Sequence, residues 1–145
     1  MVEKKIEHNV SEAEWEVMRI IWTLGETHTG DVIEQLQTKK HWSESTIKTL
    51  MGRLVKKGLL QTRKDGRRFA YSATVSQIEM MIKVTNQLMN HMCDMHKGQV
   101  LIEILKGLPL SQSDIATIEN ELILKKARAP KMVPCNCLAS GQHNC

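Results

Sequence analysis

Aromatic residues are nearly missing from this 145-residue chain: three Trp, one Tyr and one Phe, 3% of the total. Large β-sandwiches and barrels draw on aromatic and β-branched side chains, so a mainly α chain is the expectation. No apolar run approaches the roughly 20 residues of a membrane-spanning helix. The opening stretch, MVEKKIEHNVSEAEWEV, has neither an apolar signal core nor a small-residue cleavage site, which points to a cytoplasmic chain with no membrane partner. Catalytic signatures are missing too: there is no Gly-rich phosphate loop, no HExxH and no nucleophile with a placed base. Cys93 with His91 is the one candidate dyad, and residues i and i+2 on a helix point in different directions. An enzyme is therefore not expected. The length allows one ordinary domain or two small ones.

What the chain does have is unevenly spread. Its net charge is +4, yet the stretch 39–68 holds ten basic residues against Glu44 and Asp65, a local +8, which leaves −4 for the rest. A basic block of this kind points to a polyanion, most often nucleic acid. A solvated charged face explains the count equally well, so the charge needs a structural context. Cysteine is the second asymmetry: Cys135, Cys137 and Cys145, three of the four, lie in the last eleven residues. In a reducing compartment such a cluster more often binds metal than forms a disulfide.

Ser11 and Glu14 have capping-box spacing, and Trp15, Met18, Ile21 and Trp22 follow at helical intervals up to Gly25. A second helix is expected after Thr29, with Val32, Ile33 and Leu36. A third is expected from Ser43 to Lys57, with Ile47, Leu50, Met51, Leu54 and Val55 on one face and Gly58 as its cap. Asp65-Gly66 between two extended stretches, Leu60–Lys64 and Arg68–Ala73, is a hairpin signal. Three short helices and a basic hairpin describe a winged helix-turn-helix over residues 1–74. Ser76 and Glu79 then open a long helix carrying Ile78, Met81, Val84, Leu88, Met92 and Met95, interrupted by Gly98. A short helix to Gly107 and a third, capped by Ser111 and Asp114, complete residues 75–126. Three helices in about fifty residues bury little surface alone. A dimerisation module is therefore expected there, packing back onto the winged domain being the alternative. Residues 127–134, ARAPKMVP, read as a linker to a flexible Cys-rich tail.

In helix-turn-helix docking the first turns of the second motif helix reach base edges in the major groove. Here those turns carry Ser43, Ser45, Thr46, Lys48 and Thr49, with Arg53 and Lys56 nearer phosphates or outer bases and Arg67 and Arg68 on the wing. A favourable helix C-terminus explains Lys56 and Lys57 without DNA, but not Lys48, Arg53 or the wing.

From Ser11 to Ala73, with AEWEVMRIIW, STIKTLMGRLVKKGLL and the basic wing, the chain resembles the penicillinase-repressor family, which includes β-lactamase and methicillin-resistance repressors and copper-responsive repressors of the CopY type. The resemblance implies a homodimer, a three-helix dimerisation arm and an inverted-repeat double-stranded operator of TACA…TGTA type. It also implies one of two switches. Antibiotic-sensing members are cleaved at an Asn-Phe bond; that position falls near Glu103-Ile104, and no Asn-Phe pair occurs in this sequence. The cysteine tail is instead a hallmark of the copper branch, where Zn(II) occupies the DNA-binding form, Cu(I) is the inducer and a copper chaperone delivers it. The branch carries Cys-x-Cys, four residues, Cys-x-Cys; this chain has one extra spacer residue and His143 in place of the third cysteine.

Cys135, Cys137, His143 and Cys145 remain a sensible tetrahedral Zn(II) set, and the thiolates suit Cu(I). Cys93 reads as a buried structural thiol on the long helix, and the methionines as core packing. The functional expectation is a repressor released when Cu(I) displaces Zn(II), derepressing copper-homeostasis genes. A protease-switched antibiotic-resistance repressor, a copper-buffering protein and a zinc-stabilised nucleic-acid binder are the alternatives.

Overall fold

A computed structural model of the chain describes residues 9–141 and Cys145. The chain forms two compact units, Met1–Asn86 and Gln87–Cys145. The first begins with α1 (Glu12–Leu24), β1 (Thr27–His28), α2 (Thr29–Lys40) and α3 (Glu44–Lys56). Strands β2 (Leu60–Asp65) and β3 (Arg68–Ala73) follow, and then α4 (Gln77–Asn90), in whose last turns the division between the units falls. The architecture is mainly helical with one small antiparallel sheet, ordered β1-β3-β2.

Local chemistry sets the boundaries. The Ser11 hydroxyl accepts from the Glu14 amide at 3.2 Å, and Ser43 does the same for Thr46. Each satisfies an amide that the first helical turn leaves without a partner. At Ser76 and Glu79 the exchange is reciprocal, both bonds being 3.2 Å. The turn between α2 and α3 rests on His41, which takes a left-handed conformation (φ 58°) more usual for glycine. In the hairpin Asp65 pairs with Arg68, so the two-residue loop is Gly66-Arg67 and Asp65 belongs to the strand. Gly66 at φ 61° supplies the positive φ that a tight hairpin needs at its first central position.

The core of this unit joins Val17, Met18 and Ile21 of α1 to Val32 and Leu36 of α2 and to Ile47, Leu50, Met51 and Leu54 of α3. Leu59, Leu60 and Met80 close it. Full burial of such side chains contributes about 1.5–3 kcal/mol each. The Trp22 indole N–H donates to the Val75 carbonyl at 2.9 Å, tying α1 to the chain after the wing.

The second unit holds a 3₁₀ turn (Asp94–His96), α5 (Lys97–Gly107) and α6 (Gln112–Lys126). Ser111 and Asp114 make a reciprocal cap at α6. Neither α5 nor α6 has a buried residue. No helix among the described residues is long and apolar enough to cross a membrane.

Three expectations change. Strand β1, two residues long, carries no strand signal of its own and exists because β3 has a free edge. The long helix stops at Asn90, short of Met92 and Met95, its end tightened by bonds from His91 to Leu88 and from Met92 to Met89, both 3.1 Å. Gly98 does not interrupt a helix but lies in the first turn of α5, where few intrahelical bonds depend on it.

Candidate nucleic-acid interface and cysteine cluster

Nine residues carry the expected DNA contacts, and all nine side chains are exposed: Ser43, Ser45, Thr46, Lys48, Thr49, Arg53 and Lys56 on or capping α3, and Arg67 and Arg68 at the wing. The hydroxyls are already organised. Ser43 Oγ lies 3.1 Å from Ser45 Oγ and 2.8 Å from Thr46 Oγ1, and Thr49 donates to the Ser45 carbonyl at 2.9 Å.

The basic block divides into two groups that the charge count did not separate. Lys39 and Lys40 reach Glu16 at 2.7 and 3.7 Å, and Lys57 reaches Glu14 at 2.7 Å. Glu14 is 3% exposed, so its carboxylate serves Lys57 in the interior instead of returning to the Ser11 amide. Arg63 grips Glu26 with two nitrogens. Lys48 pairs with Glu44 one turn away on open surface, a contact worth little and easily exchanged. Among the described residues, Arg53, Lys56, Lys64, Arg67 and Arg68 have no side-chain hydrogen bond or ion pair.

Acidic groups hold the paired cations and the tip of the wing. Hydrogen bonding from Lys39, reinforced by the charges of Lys39, Lys40 and Arg19, keeps the Glu16 carboxyl below the usual carboxylate range. Arg63 does the same for Glu26. His28 Nε2 lies 2.8 Å from Asp65 Oδ2, and that hydrogen bond lowers the Asp65 pKa. Asp31 accepts from the His28 amide at 3.2 Å and from the Thr27 hydroxyl at 3.1 Å, so β1, α2 and the wing are pinned together.

A concavity of about 490 Å³ opens beside α3, lined by Thr29, Gly30, Lys48, Met51, Arg68 and Phe69 among others. It brings the start of α2, with its positive dipole end, next to two cations, a setting that favours a phosphate. Thr29 and Gly30 carry no sequence signal for this lining, because neither offers a charged or aromatic side chain. Phe69, 53% exposed, is not singled out by the sequence pattern either.

The tail cysteines come together, and with them Cys93. The sulfurs of Cys93, Cys135, Cys137 and Cys145 all lie within 4.8 Å of one another. Cys145 Sγ is 3.3 Å from Cys93 Sγ and 3.9 Å from Cys137 Sγ, and the Cys137 amide donates to Cys135 Sγ at 3.4 Å. An ion bound tetrahedrally at Zn–S of about 2.3 Å spaces its sulfurs by about 3.8 Å, so the donor set fits one thiophilic ion. Without an ion, four close thiols cannot all ionise. Hydrogen bonding from Cys145 above all lowers Cys93 to about 6. Cys137, donating chiefly to Cys135, is pushed up to about 12, and Cys145, donating chiefly to Cys93, to about 11.

Cys93 is thus not the buried helical thiol the sequence implied. It lies past the end of α4, half-buried, with extended backbone (φ −62°, ψ 129°). His143, the expected fourth ligand, lies outside the described residues. His96 Nε2 approaches Cys145 Sγ at 3.3 Å, while His91 is exposed and is not one of the four grouped ligands.

A three-helix core, an exposed polar and basic second motif helix and an anchored basic hairpin define a winged-helix DNA-binding protein. The penicillinase repressor family matches residues 10–123, and the chain belongs to that family. The family is one of transcriptional repressors, not enzymes. A 16.5 kDa protein of the ptsI 3′ region of Latilactobacillus sakei is 50% identical over 131 residues, 90% of each chain. The methicillin resistance regulatory protein MecI of Staphylococcus aureus is 33% identical over 115 residues, 79% of this chain and 94% of its own. The solution structure of the DNA-binding domain of the repressor BlaI aligns with 50% of this chain and 89% of its own, at 40% identity and a TM-score of 0.48.

Proposed function

We propose that the chain binds an inverted-repeat operator of TACA…TGTA type as a homodimer and is released when Cu(I) replaces Zn(II) at its C-terminal thiols. Copper-homeostasis genes are then the regulated set, and a copper chaperone the donor. One observation carries the choice of signal: a penicillinase-repressor chain without an Asn-Phe pair gathers four thiol sulfurs within 4.8 Å. A protease-cleaved switch has no use for that cluster.

The DNA side rests on the pairing pattern of the cations. Arg53 and Lys56 on α3, with Arg67 on the wing, are charges the fold itself does not consume, and Arg68 has no ion-pair contact, although its charge helps to lower the Asp31 and Asp65 carboxyls. Serine and threonine hydroxyls at the start of α3 face base edges, while the cations set register and affinity through phosphates. Gly52 adds to this. A helix-interior glycine costs about 1 kcal/mol against alanine, and apart from its own helix backbone and chain neighbours no protein atom lies within 4 Å of a Cβ built there. A small residue there leaves room for a partner to approach the helix closely.

The homodimer rests on α5 and α6. Leu101, Ile102, Ile104, Ile115, Leu122, Ile123 and Leu124 are each 45% or more exposed. A second copy buries them. Two recognition helices must then meet half-sites about 34 Å apart, so a small change in dimer geometry weakens binding. By linkage, a metal that weakens DNA binding is itself bound less tightly by the DNA-bound dimer, by the same factor. A bound ion would cross-link the thiolates and cancel part of their charge. Cys135, Cys137 and Cys145 hold it, with His143 the fourth donor implied by spacing and Cys93 the fourth sulfur in reach.

The test is an anaerobic titration of the Zn(II)-loaded full-length protein on a TACA…TGTA duplex, with a scrambled duplex as control. Release by near-stoichiometric Cu(I), and not by added Zn(II), is the expected result. Specific binding that ignores Cu(I) would leave a repressor with another input.

A further inference from the structure

We propose that Cys93 is the fourth ligand of an all-sulfur metal site, so that a bound thiophilic ion clasps the C-terminal tail onto the α4–α5 junction. This deepens the metal-responsive reading above and rests on it for the nature of the ion.

Three contacts bring the tail to the same few residues. Cys145 Sγ lies 3.3 Å from Cys93 Sγ. The Asn136 side-chain carbonyl accepts from the Asp94 amide at 3.0 Å, one residue after Cys93 and between the two cysteines of the Cys-x-Cys pair. His96 Nε2 lies 3.2 Å from the Cys145 carbonyl. Two of these contacts need no metal and no thiol, so the tail is registered on the junction independently of the sulfur cluster. Cys135 is 4% exposed, an unusual state for a residue in a polar tail beyond two prolines.

The junction is shaped to present a ligand. Cys93 is held in extended backbone between the end of α4 and the 3₁₀ turn, off both helices. Lys97 pairs with Asp94 at 2.6 Å and steadies that turn. Soft thiolates select Cu(I) or Zn(II) over Mg(II), Ca(II) or Mn(II). A tail ligated only through its own residues closes on itself and pulls on nothing. A tail ligated through Cys93 is cross-linked to the residue three positions beyond α4, the helix whose Met80 lies in the winged core.

Co(II) is the probe, added anaerobically to the full-length protein, because its thiolate charge-transfer intensity reports the number of coordinated sulfurs. Wild type should give a four-thiolate spectrum and Cys93→Ser a three-thiolate one. Zn(II) affinity of Cys93→Ser should fall by more than the roughly 10–100-fold typical of outer-shell changes. Metal should slow amide exchange across residues 91–96 in wild type, and not in Cys93→Ser. His143→Ala should keep the wild-type spectrum. A Cys93→Ser protein with the wild-type spectrum and affinity overturns the clasp, as does loss of one ligand in His143→Ala alone. If wild type shows four thiolates and slowed exchange while operator binding ignores Cu(I), the clasp stands and the copper-responsive reading falls.

Discussion

The two units of this chain solve the burial problem in opposite ways. The winged unit closes on itself: twelve buried hydrophobic residues from α1, α2, α3, the wing and α4 form one cluster. In the second unit Cys135 is the one buried residue among those described, and the apolar side chains of α5 and α6 face outward. The first therefore owes its fold to its own sequence. On the function proposed above, the second gains its stability from something added, a second copy on α5 and α6 and an ion at the thiols. On that reading a repressor gains from the division, because the half that binds DNA keeps its own core while the half that receives the signal is the easier one to perturb.

The sharpest way to break that comparison is to charge the open face. Leu101→Glu with Ile104→Glu removes no core contact, since both side chains are about half exposed in the isolated chain. The expected outcome is a monomer by sedimentation velocity with an unchanged unfolding transition of the winged unit. Affinity for the complete operator should fall by about 10²–10⁴-fold as avidity is lost, and affinity for a half-site should hold. A double variant that remains dimeric would show that this face serves another purpose.

The converse change belongs in the closed unit. Leu54 is fully buried between α1, α2 and α3. Leu54→Ala should cost about 2–5 kcal/mol in urea unfolding, because the cavity it leaves is enclosed on all sides. Leu122→Ala, at a position 50% exposed, should cost far less when measured at concentrations that keep the chain monomeric. Equal costs would erase the distinction between the units.

The same contrast decides what was legible in the sequence. Helices α1 to α3 could be read because their signals are local: Ser11 as a cap, and apolar residues at helical intervals. The hairpin could be read from Asp65-Gly66. Strand β1 could not, since Thr27 and His28 pair only because β3 offers an edge more than forty residues later. The early end of α4 and the placement of Cys93 share that cause. Nothing between Asn90 and Lys97 breaks a helix, and the partners that hold the junction, Asn136 and Cys145, lie 42 and 52 residues away. Burial of Glu14 was hidden for the same reason, its partner Lys57 lying 43 residues on. The copper expectation rests on the family resemblance, whose tail pattern places His143, and not Cys93, with Cys135, Cys137 and Cys145.

Charge gives the subtlest comparison, between cations the fold uses and cations it leaves over. Lys39 and Arg53 count equally in the sequence, yet Lys39 is held by Glu16 at 2.7 Å and Arg53 has no ion-pair partner among the described residues. Counterion release makes the logarithm of operator affinity fall linearly with the logarithm of salt concentration, with a slope near −0.9 for each phosphate neutralised. Arg53→Ala should therefore reduce that slope by about 1 and weaken binding across operator sequences alike. Lys39→Ala should leave the slope where it was, because its charge is already spent on Glu16. A pair of titrations at several salt concentrations separates the two. An Arg53→Ala slope equal to wild type would take Arg53 off the phosphate backbone, and a changed Lys39→Ala slope would mean that the Glu16 pair opens when DNA arrives.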